Sequence, residues 1–107
     1  MAKLQKGDLV MMPRRKNPGL GIVLETMSDA YASLGIPRAA HTLAASGRDR
    51  RFLDADIHHS LRYHLTYSSK HKSFCHIHWF KKPSFYEVNH IREDETWEPI
   101  KWVKKLS

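Results

Sequence analysis

Residues 74–80 read Phe-Cys-His-Ile-His-Trp-Phe, and no other stretch of the chain alternates so clearly. Successive side chains of a β-strand point to opposite faces of the sheet. One predicted face contains Cys75, Ile77 and Trp79. The other contains Phe74, His76, His78 and Phe80. The stretch therefore predicts a β-strand that contributes one face to a hydrophobic core.

Two short apolar runs near the start of the sequence predict a pair of antiparallel strands. They are residues 9–12 (Leu-Val-Met-Met) and 22–24 (Ile-Val-Leu), and residues 13–19 between them contain two prolines and a glycine. Proline and Asn-Pro interrupt strands, so the intervening segment is a loop. Gly21 at the start of the second run predicts a β-bulge or a close backbone approach.

The last third of the chain continues in short β-like segments. Residues 85–91 and 96–100 predict two further strands, and the chain ends in a single turn or short strand up to residue 106. Five short strands with tight turns bury a face each only if the sheet curls on itself. The expected shared interior contains Leu9, Ile22, Leu24, Ile77, Trp79, Val88 and Val103.

Residues 26–72 have a different composition and predict a large, partly helical insertion. Ser28 and Asp29 are suitable caps for a helix over 30–34, and the Ala-rich segment 38–45 predicts two helical turns. An apolar i, i+4, i+8 stripe formed by Ile57, Leu61 and Leu65 favours a third helix. The aromatic and β-branched residues of 62–67 leave a strand open there as the alternative.

Several short motifs resemble one family. They are Lys6-Gly7-Asp8-Leu9-Val10, Gly19-Leu20-Gly21-Ile22-Val23-Leu24, Ile77-His78-Trp79, Trp97, and Val103-Lys104-Lys105-Leu106-Ser107. Over about half of the chain, this series is similar to small Src-homology-3-like β-barrel proteins of tailed bacteriophages, including phages of cyanobacteria. The resemblance implies one domain over 1–107, mainly β, with five barrel strands in 6–25 and 73–107 and the insertion 26–72 (α+β overall).

Composition limits the classes of protein to consider. The chain has 107 residues, 18 Lys and Arg against 11 Asp and Glu, and a formal charge of +7. A single cysteine excludes an internal disulfide framework and a Cys-rich zinc module. With no apolar run near 20 residues and no signal peptide, we expect no membrane partner and no secretion by a signal. The resemblance to phage proteins implies a location in a virion or the host cytoplasm.

The sequence gives little support for chemistry. His76 and His78 share a predicted strand face, but Cys75 points the opposite way, so we expect no metal site. Cys75 is expected to be a small buried thiol rather than a nucleophile. Glu93, Asp94 and Glu95 suit a solvated loop, and no phosphate-binding glycine loop is present. We therefore expect no catalytic residue, cofactor or small-molecule substrate, and no enzymatic activity.

Basic side chains are concentrated in three short segments, and these are the candidate contact residues. They are Arg14, Arg15 and Lys16; Arg48, Arg50 and Arg51; and Lys81 and Lys82. If nearby aromatic residues are exposed, they suit base stacking and the chain is a nucleic-acid-binding module. The aromatic residues in question are Trp79, Phe80, Phe85 and Tyr86. If they are core residues, the basic loops suit acidic protein surfaces.

The count of large side chains favours contact with acidic protein surfaces over nucleic-acid binding. Large residues exceed what a small barrel needs inside, and such residues are enriched at protein interfaces. They are Met11, Met12, Tyr31, Phe52, Tyr63 and Tyr67. Together with the resemblance to phage proteins, this favours a phage-type structural or accessory protein that docks onto other protein subunits of an assembly such as a virion. The alternative is a nucleic-acid-binding barrel.

Overall fold

The computed structural model describes residues 3–33, 58–67, 71–88 and 91–106. The strands are β1 (Leu9–Met11), β2 (Leu20–Met27), β3 (Phe74–Lys81), β4 (Glu95–Pro99) and β5 (Lys104–Lys105). The helices are α1 (Ala30–Ser33), α2 (His59–Tyr67) and α3 (Ser84–Val88), and a 3₁₀ turn covers Ile100–Trp102. The protein is mainly β, as the sequence predicts.

All five strands belong to one open antiparallel sheet with the order β4-β3-β2-β1-β5. β2 is the central strand: its first part pairs with β1 at Leu9↔Ile22, and nearly its whole length pairs with β3. The β2–β3 register shifts between Leu20 and Gly21 and again between Val23 and Glu25. Such bulges bend a strand and increase its twist, and this lets one strand serve both halves of the sheet.

Gly21 lies where two core side chains cross β2. A Cβ atom at this position would lie 2.5 Å from Ile77 Cγ2 and 2.9 Å from Trp79 Cε3. Both distances are far below van der Waals contact, so a residue larger than glycine does not fit without displacing the core. The sequence prediction of a bulge or close approach at Gly21 is confirmed on both counts.

Both faces of β3 contribute to a hydrophobic core, although in different places. The larger cluster contains Val10, Met12, Val23, Cys75, Ile77, Trp79 and Tyr86. The smaller cluster, on the opposite face, contains Ala30, Leu61, Leu65, Phe74 and Trp97. The predicted alternation of β3 is therefore confirmed, and α2 covers the Phe74 end of the second face.

Helix α2 settles the alternative that the sequence left open for residues 62–67. Leu61 and Leu65 lie one turn apart and are 3% and 0% exposed, so this part of the apolar stripe faces the core. Ile57, the first residue of the predicted stripe, lies outside the described residues. Burial of each leucine stabilises the fold by about 1.5–3 kcal/mol, which is more than the modest β propensity of the neighbouring residues contributes. Helix α1 covers residues 30–33 of the predicted helix over 30–34, and residue 34 lies outside the described residues. The predicted helix over 38–45 lies outside the described residues.

The strand predicted over 85–91 is wrong, because residues 84–88 form the helix α3. The aromatic pair there has strand-like propensity, but the helical turn places Tyr86 in the larger core cluster with 0% exposure. Tertiary packing of one large aromatic ring outweighs the local β preference of the segment.

The predicted interior is also wrong in part. Leu9 is 38% exposed, whereas its neighbour Val10 is fully buried, and Val23 is buried in place of the half-buried Ile22 and Leu24. Residues 9–12 are all apolar, so no alternation in the sequence distinguishes the inner face from the outer one. Ile77 and Trp79 are in the core as predicted, and Val103 packs at its margin.

Candidate binding surface

A cleft opens between the β1–β2 loop and the 3₁₀ turn, and we call it the basic cleft. Its volume is about 510 Å³. The described residues that line it are Met12, Pro13, Arg14, Arg15, His71, Lys101 and Trp102. Three of these are permanently cationic at neutral pH and none is acidic. The cleft therefore combines positive charge with an apolar and aromatic wall.

The β1–β2 loop is held in place at its far end. The backbone N–H of Asn17 donates to Ser84 Oγ at 3.2 Å, and the backbone N–H of Ser84 donates to the Asn17 carbonyl at 2.9 Å. Gly19 has φ of +72°, and a Cβ there would lie 2.6 Å from the Lys81 carbonyl oxygen. The loop therefore packs backbone to backbone against the end of β3, which fixes where its basic side chains project.

Arg15 links the loop to the aromatic wall. Its guanidinium carbon lies 4.4 Å from the ring centroid of Phe85 and 5.8 Å from that of Trp102. Guanidinium groups stack favourably on aromatic faces at these distances. Arg15 is thereby held in one orientation at the side of the cleft, while Arg14 and Lys101 beside it are exposed.

The positive charge of the cleft has no acidic partner among the described residues. Within the described ranges, no carboxylate forms an ion pair with Arg14, Lys16 or Lys101. Like charges crowded in a cleft with an apolar wall raise the local positive potential. The arrangement favours an anionic ligand.

The other predicted contact residues have different settings. Lys81 is exposed at the end of β3. Lys82 is bound to its own chain, because its Nζ donates to the Arg92 carbonyl at 2.6 Å and lies 3.3 Å from an Asp94 oxygen. Arg48, Arg50 and Arg51 lie outside the described residues. Of the predicted contact residues that the structure describes, Arg14 and Arg15 come together at the cleft, with Lys101 and Trp102 from the end of the chain.

Sequence reasoning missed His71, Lys101 and Trp102, which complete the cleft. Lys101 and Trp102 lie more than 80 positions from Arg15 in the chain. Lys101 and Trp102 come close to Arg15 because β5 returns to pair with β1. The adjacent basic and aromatic residues at 101–102 are the one local signal that pointed to them.

The aromatic residues considered for base stacking are mostly unavailable. Trp79 and Tyr86 are 3% and 0% exposed, and Phe85 is half-buried beneath Arg15. The Trp79 indole N–H donates to Thr96 Oγ1 at 2.9 Å, and the Tyr86 hydroxyl bonds to the same oxygen. Burial is the main cause that raises the pKa of Tyr86. Only Phe80 of this group is well exposed, at 60%.

The histidine face of β3 carries ring contacts and loose ion pairs. His76 stacks on Trp97 with ring centroids 4.8 Å apart, and its pKa is lowered, first by burial and then by the nearby His58. His78 Nδ1 lies 3.8 Å from a Glu95 oxygen. In the part of the chain that the structure describes, no three His, Cys, Asp or Glu side chains form a metal-binding group.

Cys75 lies in the core, where it cannot readily ionise. It is 0% exposed, and its Sγ lies 3.6 Å from the Glu98 carbonyl oxygen, to which the thiol donates. Burial, together with the charge of Glu98, raises the pKa of the Cys75 thiol to about 12. A thiol that stays protonated at neutral pH is a poor nucleophile, which agrees with its expected packing role.

Comparison of the chain with protein-family models, with curated proteins and with solved structures found no match. Among the described helices, none has the length and apolarity required to span a membrane.

Proposed function

We propose that this protein is a non-enzymatic docking component of a larger protein assembly, and that its basic cleft holds an acidic segment of a partner subunit. The observation that carries the proposal is the cluster of Arg14, Arg15 and Lys101 around Trp102, which has no acidic partner in the part of the chain that the structure describes. A segment with acidic side chains supplies the missing counter-charges. Its apolar residues find the Trp102 ring as contact surface.

The composition of the cleft suits a protein partner. Aromatic residues, methionine and arginine are the residue types enriched at protein interfaces. The volume of about 510 Å³ accommodates a few side chains rather than a whole domain. A short acidic stretch of a neighbouring subunit matches both its size and its charge.

Nucleic-acid binding is the second candidate, and the charge of +7 is what favours it. Non-specific binding of single strands relies on aromatic faces that stack on bases. Trp79 and Tyr86 are core residues, and Arg15 covers Phe85. The burial of these rings supports a protein partner over nucleic acid.

We further propose that the sheet is a Src-homology-3-like barrel. The support is the strand order, in which β5 returns to pair with β1, together with the 3₁₀ turn between β4 and β5. The bulged β2, shared between β1 and β3, is the second support, since such a strand lets a small sheet curl. The sequence resemblance then favours a phage particle as the assembly, and a location in the virion or host cytoplasm.

The proposal is tested by binding of a labelled short peptide of alternating aspartate and leucine, measured by fluorescence anisotropy. The cleft variant carries Arg14→Gln, Arg15→Gln and Lys101→Gln. A matched control removes the same charge elsewhere through Lys3→Gln, Lys6→Gln and Lys104→Gln, all at exposed positions. Each surface ion pair contributes about 0.2–1 kcal/mol, so the cleft variant loses affinity by about threefold to about a hundredfold.

Equal losses in the two variants would contradict the cleft as the binding surface, because net charge alone would then explain the binding. A single-stranded oligothymidylate of the same net charge is the competitor. If it displaces the peptide at low concentration and its affinity falls steeply with salt, the nucleic-acid hypothesis replaces the docking one.

A further inference from the structure

The face of the sheet opposite the larger core cluster carries a group of apolar side chains that we call the outer patch. Leu9 pairs with Ile22, and both are next in sequence to inward-facing positions, Val10 and Gly21. Because strand side chains alternate between faces, the register assigns the members of the patch. They are Leu9, Met11, Leu20, Ile22 and Phe80, with Leu106, whose backbone N–H donates to the Leu9 carbonyl at 2.8 Å.

The outer patch is open to solvent. Leu9, Leu20, Phe80 and Leu106 are 38%, 36%, 60% and 46% exposed. They are four of the five large apolar side chains that are exposed in the described part of the chain, and the fifth, Tyr63, lies on α2. Single exposed apolar residues are ordinary on a protein surface, whereas a contiguous group on one face marks a binding surface.

Charges of opposite sign lie at the two edges of this face. In the order β4-β3-β2-β1-β5, the edge strands are β4 and β5, and β2 is central. Lys104 of β5 pairs with Met11, so it lies on the outer face at one edge. Glu95 of β4 pairs with His78, which itself pairs with Ile22, so Glu95 lies on the same face at the other edge. The charges of the face are therefore self-complementary about β2.

Both edge charges are accessible to a partner. Within the described ranges, no carboxylate forms an ion pair with Lys104, which is exposed. Glu95 is 52% exposed, and its oxygens lie 3.7 Å from His76 Nε2 and 3.8 Å from His78 Nδ1, which is too far for a hydrogen bond.

A second copy of the chain is the partner that matches both the apolar and the charged parts of this face. A two-fold axis between two facing sheets, running along β2, turns β5 of one copy toward β4 of the other. The same rotation brings Ile22 against its counterpart and Met11 toward the partner's Phe80. An anionic membrane surface matches the face less well, because it would repel Glu95.

Helix α2 is compatible with this arrangement. It packs beside β4 at the end of the face where Phe74 pairs with Met27. Strand β1 pairs with β2 only as far as Ile22, five residues short of Met27. The two-fold rotation therefore places α2 opposite a level of the partner sheet that β1 and β5 do not reach.

We propose that this chain forms a symmetric homodimer through the outer patch, with the two sheets face to face and Lys104 of each copy beside the partner's Glu95. Aligned sheets pack in this way with their apolar rows interdigitated. The inference goes beyond the proposed docking function, because the outer patch shares no residue with the basic cleft. Each can therefore fail while the other holds.

Sedimentation equilibrium of the full chain over a wide range of protein concentration measures the dimerisation. The expected result for the wild type is a reversible equilibrium of monomer and dimer. Phe80→Ser removes one exposed ring from each copy and is expected to weaken the dimer by at least roughly tenfold. Tyr63→Ser is the matched control, since Tyr63 is 53% exposed and lies outside the patch, and it is expected to leave the equilibrium unchanged.

A charge exchange tests the two-fold arrangement itself. Lys104→Glu and Glu95→Lys each replace an attractive pair by a repulsive one, and the dimer contains the pair twice, so each is expected to weaken the dimer by at least roughly fivefold. The two variants mixed in equal amounts are expected to form a mixed dimer of about wild-type affinity. Lys3→Glu, at an exposed position next to Leu4 of the larger core, is the control that Glu95→Lys does not rescue.

A chain that stays monomeric at every concentration would overturn the proposal, as would equal weakening by Phe80→Ser and Tyr63→Ser. Failure of the mixed charge variants to recover affinity would overturn the two-fold arrangement. Vesicles of phosphatidylserine test the other occupant of the patch. A monomeric chain that sediments with these vesicles, and no longer does so with Phe80→Ser, would replace the second copy by a lipid surface.

Discussion

Replacing Gly21 by alanine is expected to destabilise the sheet, because the new methyl group has no room. Its Cβ would lie 2.5 Å from Ile77 Cγ2, 2.9 Å from Trp79 Cε3 and 3.0 Å from the His78 carbonyl oxygen. Ile77 and Trp79 are 0% and 3% exposed, so neither side chain has free space to move into. Gly21 is thus a packing requirement of the core.

The magnitude follows from the cost of overpacking a well-filled core. Such insertions cost about 1–3 kcal/mol. With about 2.1 cal/mol/K of unfolding entropy per residue over 107 residues, the melting temperature falls by about 4–13 °C. Urea unfolding followed by tryptophan fluorescence measures the same loss as a lower midpoint with an unchanged slope.

A double-mutant cycle identifies the clash itself. In an Ile77→Ala background the nearest obstructing atom is gone, so Gly21→Ala is expected to cost less stability there than in the wild type. The costs of independent substitutions add to within roughly 0.5 kcal/mol, and the difference expected here is larger than that. Strict additivity would refute the steric explanation. A single Gly21→Ala variant within about 0.5 kcal/mol of the wild type would refute the packing of β2 against β3.

Three further predictions concern buried polar groups. Thr96→Val leaves the Trp79 indole N–H without its acceptor and is expected to lower the free energy of unfolding in urea by about 1–3 kcal/mol. Thr96→Ser keeps the hydroxyl and is expected to cost less. Equal costs of the two substitutions would contradict this. Burial lowers the pKa of His76, so its NMR titration midpoint is expected below 6.5. The contribution of His76 to the free energy of unfolding is present above pH 6.5 and is lost as the pH falls below 6.5. A midpoint at or above 6.5 would be the contrary result. With the pKa of Cys75 at about 12 against 9.0 for a free thiol, alkylation at pH 8 is expected to be on the order of a thousandfold slower in the folded chain than in urea, and comparable rates would oppose its burial.

Local features of the fold were accessible from sequence. The alternation of residues 74–80 and the glycine at position 21 each reflect a constraint that acts within a few residues, and both predictions are confirmed. The apolar stripe of α2 predicted a helix, although competing β propensity left the alternative open until the packing was known.

Features that depend on distant partners were not accessible. Residues 85–91 favour a strand by propensity, and only the core position of Tyr86 explains the helix there. Glu98 looks like a solvated residue in the sequence, and its burial follows from α2 covering β4. The basic loop was found from its charge, but Lys101 and Trp102 join it only because β5 pairs with β1.

The docking proposal is tested most directly by the three tryptophan indole signals of the ¹⁵N-labelled protein. Trp79 and Trp97 are 3% and 6% exposed, whereas Trp102 is half-buried at the basic cleft. On titration with the acidic peptide, the account predicts that the Trp102 indole signal moves, with the amides of Arg14 and Arg15, while the other two indole signals stay in place. Saturable binding that shifts the exposed Phe80 region instead, and leaves Trp102 unmoved, would contradict it.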